Sequence, residues 1–323
     1  MKTAASIFSA LLASSFLFIS RMQGPEGILL LDRFLPGIGG WIQILIIGIY
    51  AGTVAHLLLT HPDTSKIRLG IWNLFSIVFF TQFIAGIFIS STFLMSGILH
   101  IPVPALIMAG PIYRTTSWFM PILFLSTMLL AGPSWCSYLC YIGSWDGRVA
   151  SVSGKTLPRS GKLITMRYTV FTMVIVLAIL MRLFHVPVKI AAGAAVGFGI
   201  LGIVIMVTVS RKRSLMIHCT SYCPIGLLSN LIGKISPFRI RIDNNCVYCM
   251  KCTETCLYDA LNQEDMKAGR AGFTCTLCGD CISSCRRNSI HYHFPRLSPE
   301  KSRILFLVII SALHAAFLGI ARI

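Results

Sequence analysis

The sequence predicts a mostly α-helical membrane protein, a bundle of about seven spans with a small α+β, cysteine-rich domain inserted before the last helix. Three observations support this fold class. Hydrophobic residues make up 55% of the 323 residues and charged residues only 12%. The mean hydropathy of +0.77 is far above the range of soluble domains. Long apolar runs recur along the chain, whereas residues 238–298 are polar and rich in cysteine.

Seven apolar runs are each long enough, or nearly so, to cross roughly 30 Å of hydrocarbon as a helix. The first run also has features of a secretory signal, but it continues into Arg21 without an A-x-A cleavage site, which favours a retained helix. Cleavage there would leave six spans. The predicted runs cover residues 4–20, 39–60, 69–90, 117–132, 168–184, 190–210 and 303–321.

The predicted domain organisation follows from these runs. Residues 1–237 form the membrane part, residues 238–298 the cysteine-rich domain, and residues 299–323 a last membrane helix. The inserted domain has about 60 residues, too few for a large apolar core, so metal must supply much of its folding energy.

Segment 91–116 is apolar but interrupted by prolines, including Pro102, Pro104 and Pro111, together with His100. A straight spanning helix is therefore not expected there. A re-entrant hairpin on the outer face and a long hydrophobic loop both remain open.

The formal net charge of +17 indicates topology rather than nucleic-acid binding, because the basic residues lie in loops between apolar runs. Of the 28 Lys and Arg residues, 22 lie on the face that the N-terminus shares with loops 61–68, 133–167 and 211–302 or at the helix ends beside them. By the positive-inside rule this face is cytoplasmic. The sequence thus predicts a multi-pass protein of a bacterial or archaeal cytoplasmic membrane, in contact with lipid, with all its cysteines on the inner side.

Eight of the twelve cysteines form two runs with one spacing, Cys-x2-Cys-x2-Cys-x3-Cys. This is the spacing of bacterial two-cluster ferredoxins, in which the fourth cysteine of each run ligates the other cluster. Zinc also accepts four thiolates, but zinc ribbons pair two Cys-x2-Cys knuckles. The prediction is one 4Fe-4S cluster on Cys246, Cys249, Cys252 and Cys285, and a second on Cys275, Cys278, Cys281 and Cys256.

The other four cysteines form two Cys-x3-Cys pairs, Cys136 with Cys140 and Cys219 with Cys223, each following an apolar span. A four-residue separation places two thiols on one helical face. The four thiols could form an additional metal or cluster site, or act as redox dithiols. Ordinary buried cysteines are the alternative.

Together these motifs resemble the NapH/NosR-type membrane polyferredoxins, in which spans are joined to two Cys-x3-Cys-Pro motifs and a two-cluster ferredoxin domain. The resemblance covers about residues 117–300. Cys219 to Pro224 matches the family motif, whereas the first pair has Tyr141 in place of proline. The resemblance implies electron transfer between the quinone pool or an outer-face partner and other redox subunits of a quinol dehydrogenase-like complex.

An assembly factor that delivers reducing power to a partner metalloenzyme is the alternative function. No nucleotide-binding glycine loop and no nucleophile with its base is evident, so a redox subunit is expected rather than an enzyme acting alone.

Histidines within or beside the spans raise the question of haem and quinone. His56 and His314 fall at different predicted depths, which disfavours haem b ligation by the pair. A quinone contact and a hydrogen-bonded packing role both remain open. His218 adjoins Cys219, where it could be an extra ligand or lower the pKa of the thiol.

Overall fold

The computed structural model describes residues 1–24, 26–94, 101–116, 118–152 and 161–320. The described chain is mostly helical, with one two-stranded sheet formed by β1 (Arg239–Ile242) and β2 (Ile290–His293). The helices of the first half are α1 (Lys2–Gln23), α2 (Leu30–Phe34), α3 (Gly39–Thr60), α4 (Thr64–Phe88), α5 (Leu106–Arg114), α6 (Phe119–Ala131), α7 (Trp135–Tyr138) and α8 (Tyr141–Ala150). Those of the second half are α9 (Gly161–Leu183), α10 (Val188–Ile205), α11 (Arg211–Arg213), α12 (Pro224–Ile232), α13 (Lys251–Thr255), α14 (Gln263–Lys267), α15 (Asp280–Ser284) and α16 (Pro299–Ile320).

Seven helical segments in the described residues are long and apolar enough to cross a membrane, which confirms the predicted number of spans. Their ends differ from the apolar runs where local chemistry sets the boundary. The third begins at Thr64 because the Asp63 side chain accepts a hydrogen bond from the Lys66 backbone and caps the helix. The segments are Lys2–Gln23, Gly39–Thr60, Thr64–Phe88, Phe119–Tyr138, Leu163–Leu183, Val188–Arg213 and Pro299–Ile320.

The chain divides into two compact units. The first contains residues 1–100, 138–141 and 292–323. In it, α1, α3 and α16 pack closely because small side chains line their contact, namely Ala13, Ala51, Ala312 and Ala315.

The first unit also holds the second cysteine of the first pair. On α4, Trp72 donates a hydrogen bond from Nε1 to the Cys140 carbonyl oxygen at 2.8 Å, and Ser76 donates to the Tyr141 carbonyl oxygen at 2.9 Å. The Tyr141 ring stacks on Phe79 with centroids 3.9 Å apart. Tyr141, which follows Cys140 as Pro224 follows Cys223, thus fixes the chain after Cys140 by aromatic packing.

The second unit contains residues 101–137 and 142–291, including the whole segment between Cys246 and Cys285. Here α9 packs with α5, α12 and the turn that carries Cys219. Pro224 begins α12, a position where its missing N–H costs nothing.

Segment 91–116 has no long straight helix in its described part. A single 3-10 turn covers Ser91–Phe93, and the nine-residue α5 contains Pro111. His100 and the other residues between 95 and 100 lie outside the described residues, so the choice between hairpin and loop stays a prediction.

Candidate metal centres

The two cysteine runs of the inserted domain share one backbone conformation. Left-handed φ angles occur at pairs of positions 29 residues apart, and most of these residues carry a Cβ atom that disfavours this conformation. The pairs are Tyr248 (φ 52) with Leu277 (φ 55), Met250 (φ 61) with Gly279 (φ 84), and Asp259 (φ 50) with Asn288 (φ 51). The same strained loop is therefore built twice.

This backbone suits a negatively charged iron-sulfur cluster. Residues that alternate between right-handed and left-handed conformations turn successive N–H groups toward a common concavity, a feature of many iron-sulfur sites. One such donor is visible directly, because the Ala260 N–H donates to Cys256 Sγ at 3.3 Å. Strain of this kind persists where the surrounding structure requires it, which points to a ligand rather than to an ordinary turn.

Electrostatic contacts sort seven of the eight cysteines, all but Cys249, into two groups. Cys252 interacts with Cys246 and Cys285, the latter from the other run. Cys281 interacts with Cys275, Cys278 and, again across runs, Cys256. The fourth cysteine of each run thus lies toward the other run, and the ligand sets themselves stay a prediction.

The second group surrounds a cavity. Its walls include all four cysteines predicted for the second cluster, and the remainder is mainly apolar but also contains Thr276 and Asp280. Burial raises the pKa of Cys256 and of Cys275 to about 12, so as free thiols both would hold their protons. Iron ions that replace these protons remove the cost of burying thiolates. The lining cysteines are Cys256, Cys275, Cys278 and Cys281.

The spacing of the donors bears on which metal they fit. Within the described residues, no three His, Cys, Asp or Glu side chains lie close enough to share a single metal ion. A zinc ion needs its sulfurs about 2.3 Å from one centre. A cube instead spreads four thiolates over four irons. Four thiols around one cavity, lined by a backbone that suits an anion, fit a 4Fe-4S cluster.

The second cysteine group lies beside the two Cys-x3-Cys motifs. Directly after Cys256, the Leu257 carbonyl oxygen accepts a hydrogen bond from the Met216 N–H at 2.9 Å, three residues before Cys219. The Tyr258 hydroxyl donates to the Cys136 carbonyl oxygen at 3.3 Å. One short segment of the inserted domain thus contacts both motifs.

The two pair motifs share one sequence pattern, Cys-x3-Cys-x-Ile-Gly. A helix begins right after the second cysteine in each, α8 after Cys140 and α12 after Cys223. In the second motif, the turn His218–Tyr222 is π-helical, a rare geometry often found at functional sites. Gly226 ends this motif because a Cβ atom there would lie 2.1 Å from the Cys219 carbonyl oxygen.

Asp146 connects the helix that follows Cys140 to the second motif by a hydrogen bond. This residue was not identified from the sequence. It lies on α8, and its Oδ2 accepts a hydrogen bond from the Cys219 N–H at 3.0 Å. Burial raises the pKa of Asp146 to about 6, although bonds from Ser210 and Cys219 oppose the rise. The sequence does carry a signal, since Asp146 is the one acidic residue between Asp63 and Asp243. An isolated carboxylate among apolar helices calls for a structural or chemical reason.

His218 does not activate Cys219 as an imidazolium. Burial lowers the pKa of His218 to about 4, so the ring is neutral near pH 7 and bonds to the Gly202 carbonyl. Its Nδ1 is buried without a hydrogen-bond partner in the described part of the chain. An extra ligand role for His218 stays a prediction.

His314 is a packing residue of the first unit. Its ring is fully buried, with Nε2 2.9 Å from the Tyr50 hydroxyl and Nδ1 2.9 Å from the Tyr138 carbonyl oxygen. Both nitrogens therefore have protein partners. His56 is exposed on its helix, as a lipid-facing or partner-facing side chain would be.

Comparison with known proteins supports iron-sulfur chemistry. A family model described as a 4Fe-4S binding domain matches residues 114–158 and 193–243. The matched segments contain the two Cys-x3-Cys motifs and end before Cys246, so this similarity is independent of the ferredoxin spacing. The chain is therefore similar to a 4Fe-4S binding domain around the two pair motifs and carries a separate eight-cysteine segment.

Curated relatives point the same way. The chain is 25% identical over 197 residues to YccM of Escherichia coli, a protein assigned provisionally to electron transport, covering 54% of this chain and 55% of the relative. Two uncharacterised proteins of Methanocaldococcus jannaschii are 24% and 22% identical, covering 50% and 51% of this chain and 65% and 74% of the relatives. The chain thus spans between about half and three quarters of the relatives it matches. No solved structure matches.

Proposed function

We propose that the chain is an iron-sulfur electron carrier of a bacterial or archaeal cytoplasmic membrane, which relays electrons between the quinone pool or an outer-face partner and other redox subunits. The observation that carries the proposal is the sorting of seven of the eight cysteines into two groups, one of them around a cavity. When bound, each 4Fe-4S cluster stores and releases one electron.

The protein's own part is to hold, shield and connect these centres. Buried thiols and inward-facing N–H groups fix the second cluster, while Leu257 and Tyr258 tie that group to the Cys219 and Cys136 motifs. This contact suggests a line of centres that runs from the inserted domain toward the spans. The cytoplasmic placement of the domain rests on the 22 basic residues of one face.

Membership of the NapH/NosR-type group is part of the proposal. It is supported by Cys219 to Pro224, by the ferredoxin spacing and by the seven spans. The family match to the two pair motifs also favours a role for Cys136, Cys140, Cys219 and Cys223 as ligands of a further cluster.

A quinone assay tests the relay directly. Purified protein in lipid nanodiscs is mixed anaerobically with a quinol, and separately the dithionite-reduced protein is mixed with a quinone. EPR should detect cluster reduction in the first case or cluster oxidation in the second, within seconds. Clusters that exchange electrons with neither would remove quinone from the proposal.

Deletion of the gene separates relay from maturation. A partner metalloenzyme that stays fully metallated but loses turnover with quinol supports the relay. A partner that emerges without its metal supports the assembly role instead.

Single substitutions should remove one cluster each. Cys252→Ser is expected to abolish the EPR signal of the first cluster and Cys281→Ser that of the second, because each thiol belongs to a different group. Cys256→Ser should behave as Cys281→Ser does, although it lies in the first run. If Cys256→Ser instead removed the same signal as Cys252→Ser, the exchange of fourth ligands would be wrong.

Arg239 should raise the reduction potential of the second cluster. Its guanidinium is held by the carbonyl oxygens of Gly233, Lys234 and Phe238 and acts electrostatically on Cys275. Arg239→Gln removes a positive charge that favours the reduced, more negative cluster. The potential should fall by roughly 20–40 mV, equivalent to about 0.5–1 kcal/mol for one electron.

EPR-monitored redox titration measures this shift. Arg241→Gln is the matched control, because Arg241 lies on the same strand and is exposed. Equal shifts in the two variants would mean that Arg239 has no specific effect on the cluster.

A further inference from the structure

The two cysteine loops share a backbone but differ in what covers them. The residues between the first two cysteines of the second run are buried, with Thr276 4% and Leu277 3% exposed. Their counterparts in the first run are open, with Val247 56% and Tyr248 48% exposed. The chain therefore shields one cluster group and presents the other.

The cover over the second loop comes from the segment that leads to Cys136. Leu277 packs against Gly132, where an added Cβ atom would lie 3.0 Å from the leucine side chain. Ser137 donates a hydrogen bond to the Thr276 carbonyl oxygen at 3.0 Å. The loop of the second group is thus covered by contacts within its own unit, whereas the loop of the first group is exposed.

The exposed loop is unusual within its domain. Between residues 238 and 298, all of which the structure describes, the large apolar side chains that stand exposed are Val247 and Tyr248. Cys249, beside them, is also exposed. These residues lie outside the candidate spans, so they are not lipid-facing residues of a spanning helix. An apolar centre with an aromatic residue and a polar rim is the usual composition of a protein docking site.

Charge indicates the kind of partner. Arg286 and Arg287 are exposed and follow Cys285, which interacts with Cys252 of the first group. Lys251, the first residue of α13, is also exposed, and the carboxylates between residues 243 and 256 are Asp243, whose Oδ2 lies 3.3 Å from His291 Nδ1, and Glu254. The exposed cations at this surface favour an acidic partner over a basic one.

We propose that Val247 and Tyr248, with Arg286 and Arg287 at the rim, form the docking site for an acidic one-electron redox protein or subunit. This surface would bring the partner to the exposed cluster group. The inference rests on the proposed function, because docking there has a purpose only if Cys246, Cys249, Cys252 and Cys285 hold a cluster.

The test uses iron-loaded protein in nanodiscs and two haem probes of opposite charge, a small acidic b-type cytochrome and a basic c-type cytochrome. The dissociation constant of each complex and the rate of haem reduction by the dithionite-reduced protein are measured. The acidic probe should bind at least about tenfold more tightly than the basic probe, and its binding should weaken with salt.

Two variants remove the two parts of the surface. Val247→Ser with Tyr248→Asn deletes the apolar centre, asparagine being tolerant of the left-handed backbone, and Arg286→Glu reverses a rim charge. Each should weaken binding of the acidic probe about tenfold or more. Lys267→Glu is the matched control, since Lys267 is exposed on α14, and should change binding less than about twofold.

The outcomes separate docking from the proposed function. A wild-type protein without iron-sulfur clusters would contradict the proposed function itself. Two results with iron-loaded protein would overturn the docking site alone. One is equal affinity for both probes, and the other is unchanged affinity for the acidic probe in both the Val247→Ser, Tyr248→Asn variant and the Arg286→Glu variant. If the double variant loses iron, the Arg286→Glu variant tests the proposal instead. Unchanged affinity of that variant for the acidic probe overturns the proposal. A tenfold loss of affinity that Lys267→Glu does not share supports it.

Discussion

Removal of iron should unfold residues 238–298 while the membrane helices stay folded. The secondary structure of this domain consists of five-residue helices, α13, α14 and α15, and four-residue strands, which are too short to be stable without tertiary support. In small domains of this kind, bound metal supplies folding free energy on the order of 10 kcal/mol. Its loss therefore exceeds what the small apolar core can offset.

Limited trypsin digestion after anaerobic chelation measures this effect. Cleavage after Lys251, Lys267 and Arg286 should become fast in the iron-free protein and stay slow in the iron-loaded protein. Lys66 provides an internal control, because its exposed side chain pairs with Asp63 at the start of a membrane helix and its cleavage should not respond to iron. Equal resistance with and without iron would mean that the domain folds on its own.

Gly226→Ala should disrupt the second pair motif. The added methyl group would lie 2.1 Å from the Cys219 carbonyl oxygen, a backbone atom that cannot move without displacing the turn. The Gly226 N–H also bonds to the Cys223 carbonyl oxygen at 3.1 Å, so the helix cannot shift freely. We expect a loss of roughly 1–3 kcal/mol in the free energy of unfolding, with faster maleimide labelling of Cys219 and Cys223.

Gly193→Ala is the matched control for this substitution. Apart from its chain neighbours and the backbone of its own helix, no heavy atom lies within 4 Å of the position that a Cβ would take at Gly193, and alanine has the higher helix propensity. Peptide mapping by mass spectrometry identifies the labelled cysteines. If Gly226→Ala melts and labels like Gly193→Ala, the close packing of the motif is not what holds the two thiols.

The spans were predictable because apolar length is a strong signal in a chain with few charges. Their ends were less so. The Asp63 cap moves the start of the third span to Thr64, and a π-helical turn at Met206–Ser210 carries the sixth span on to Arg213. Both depend on local hydrogen bonds, which apolar runs do not reveal.

The cysteine groups could be predicted from spacing, since tight Cys-x2-Cys loops allow few arrangements of the thiols. The residues that surround these groups could not be predicted in this way. Asp146 is 73 residues from Cys219 in sequence, and only the fold brings its carboxylate to the Cys219 N–H. Similarly, the burial of Leu277 and the exposure of Tyr248 differ because of Gly132, although the two loops have the same spacing.

Iron and sulfide analysis of a variant that lacks the pair motifs tests the central claim most directly. In this variant Cys136, Cys140, Cys219 and Cys223 are all replaced by serine, and the eight cysteines between Cys246 and Cys285 remain. Anaerobically purified protein should contain about eight irons and eight sulfides per chain, enough for two cubes, and should show two reducible clusters by EPR. Stoichiometric zinc, or an iron content near zero in both this variant and the wild type, would contradict the account.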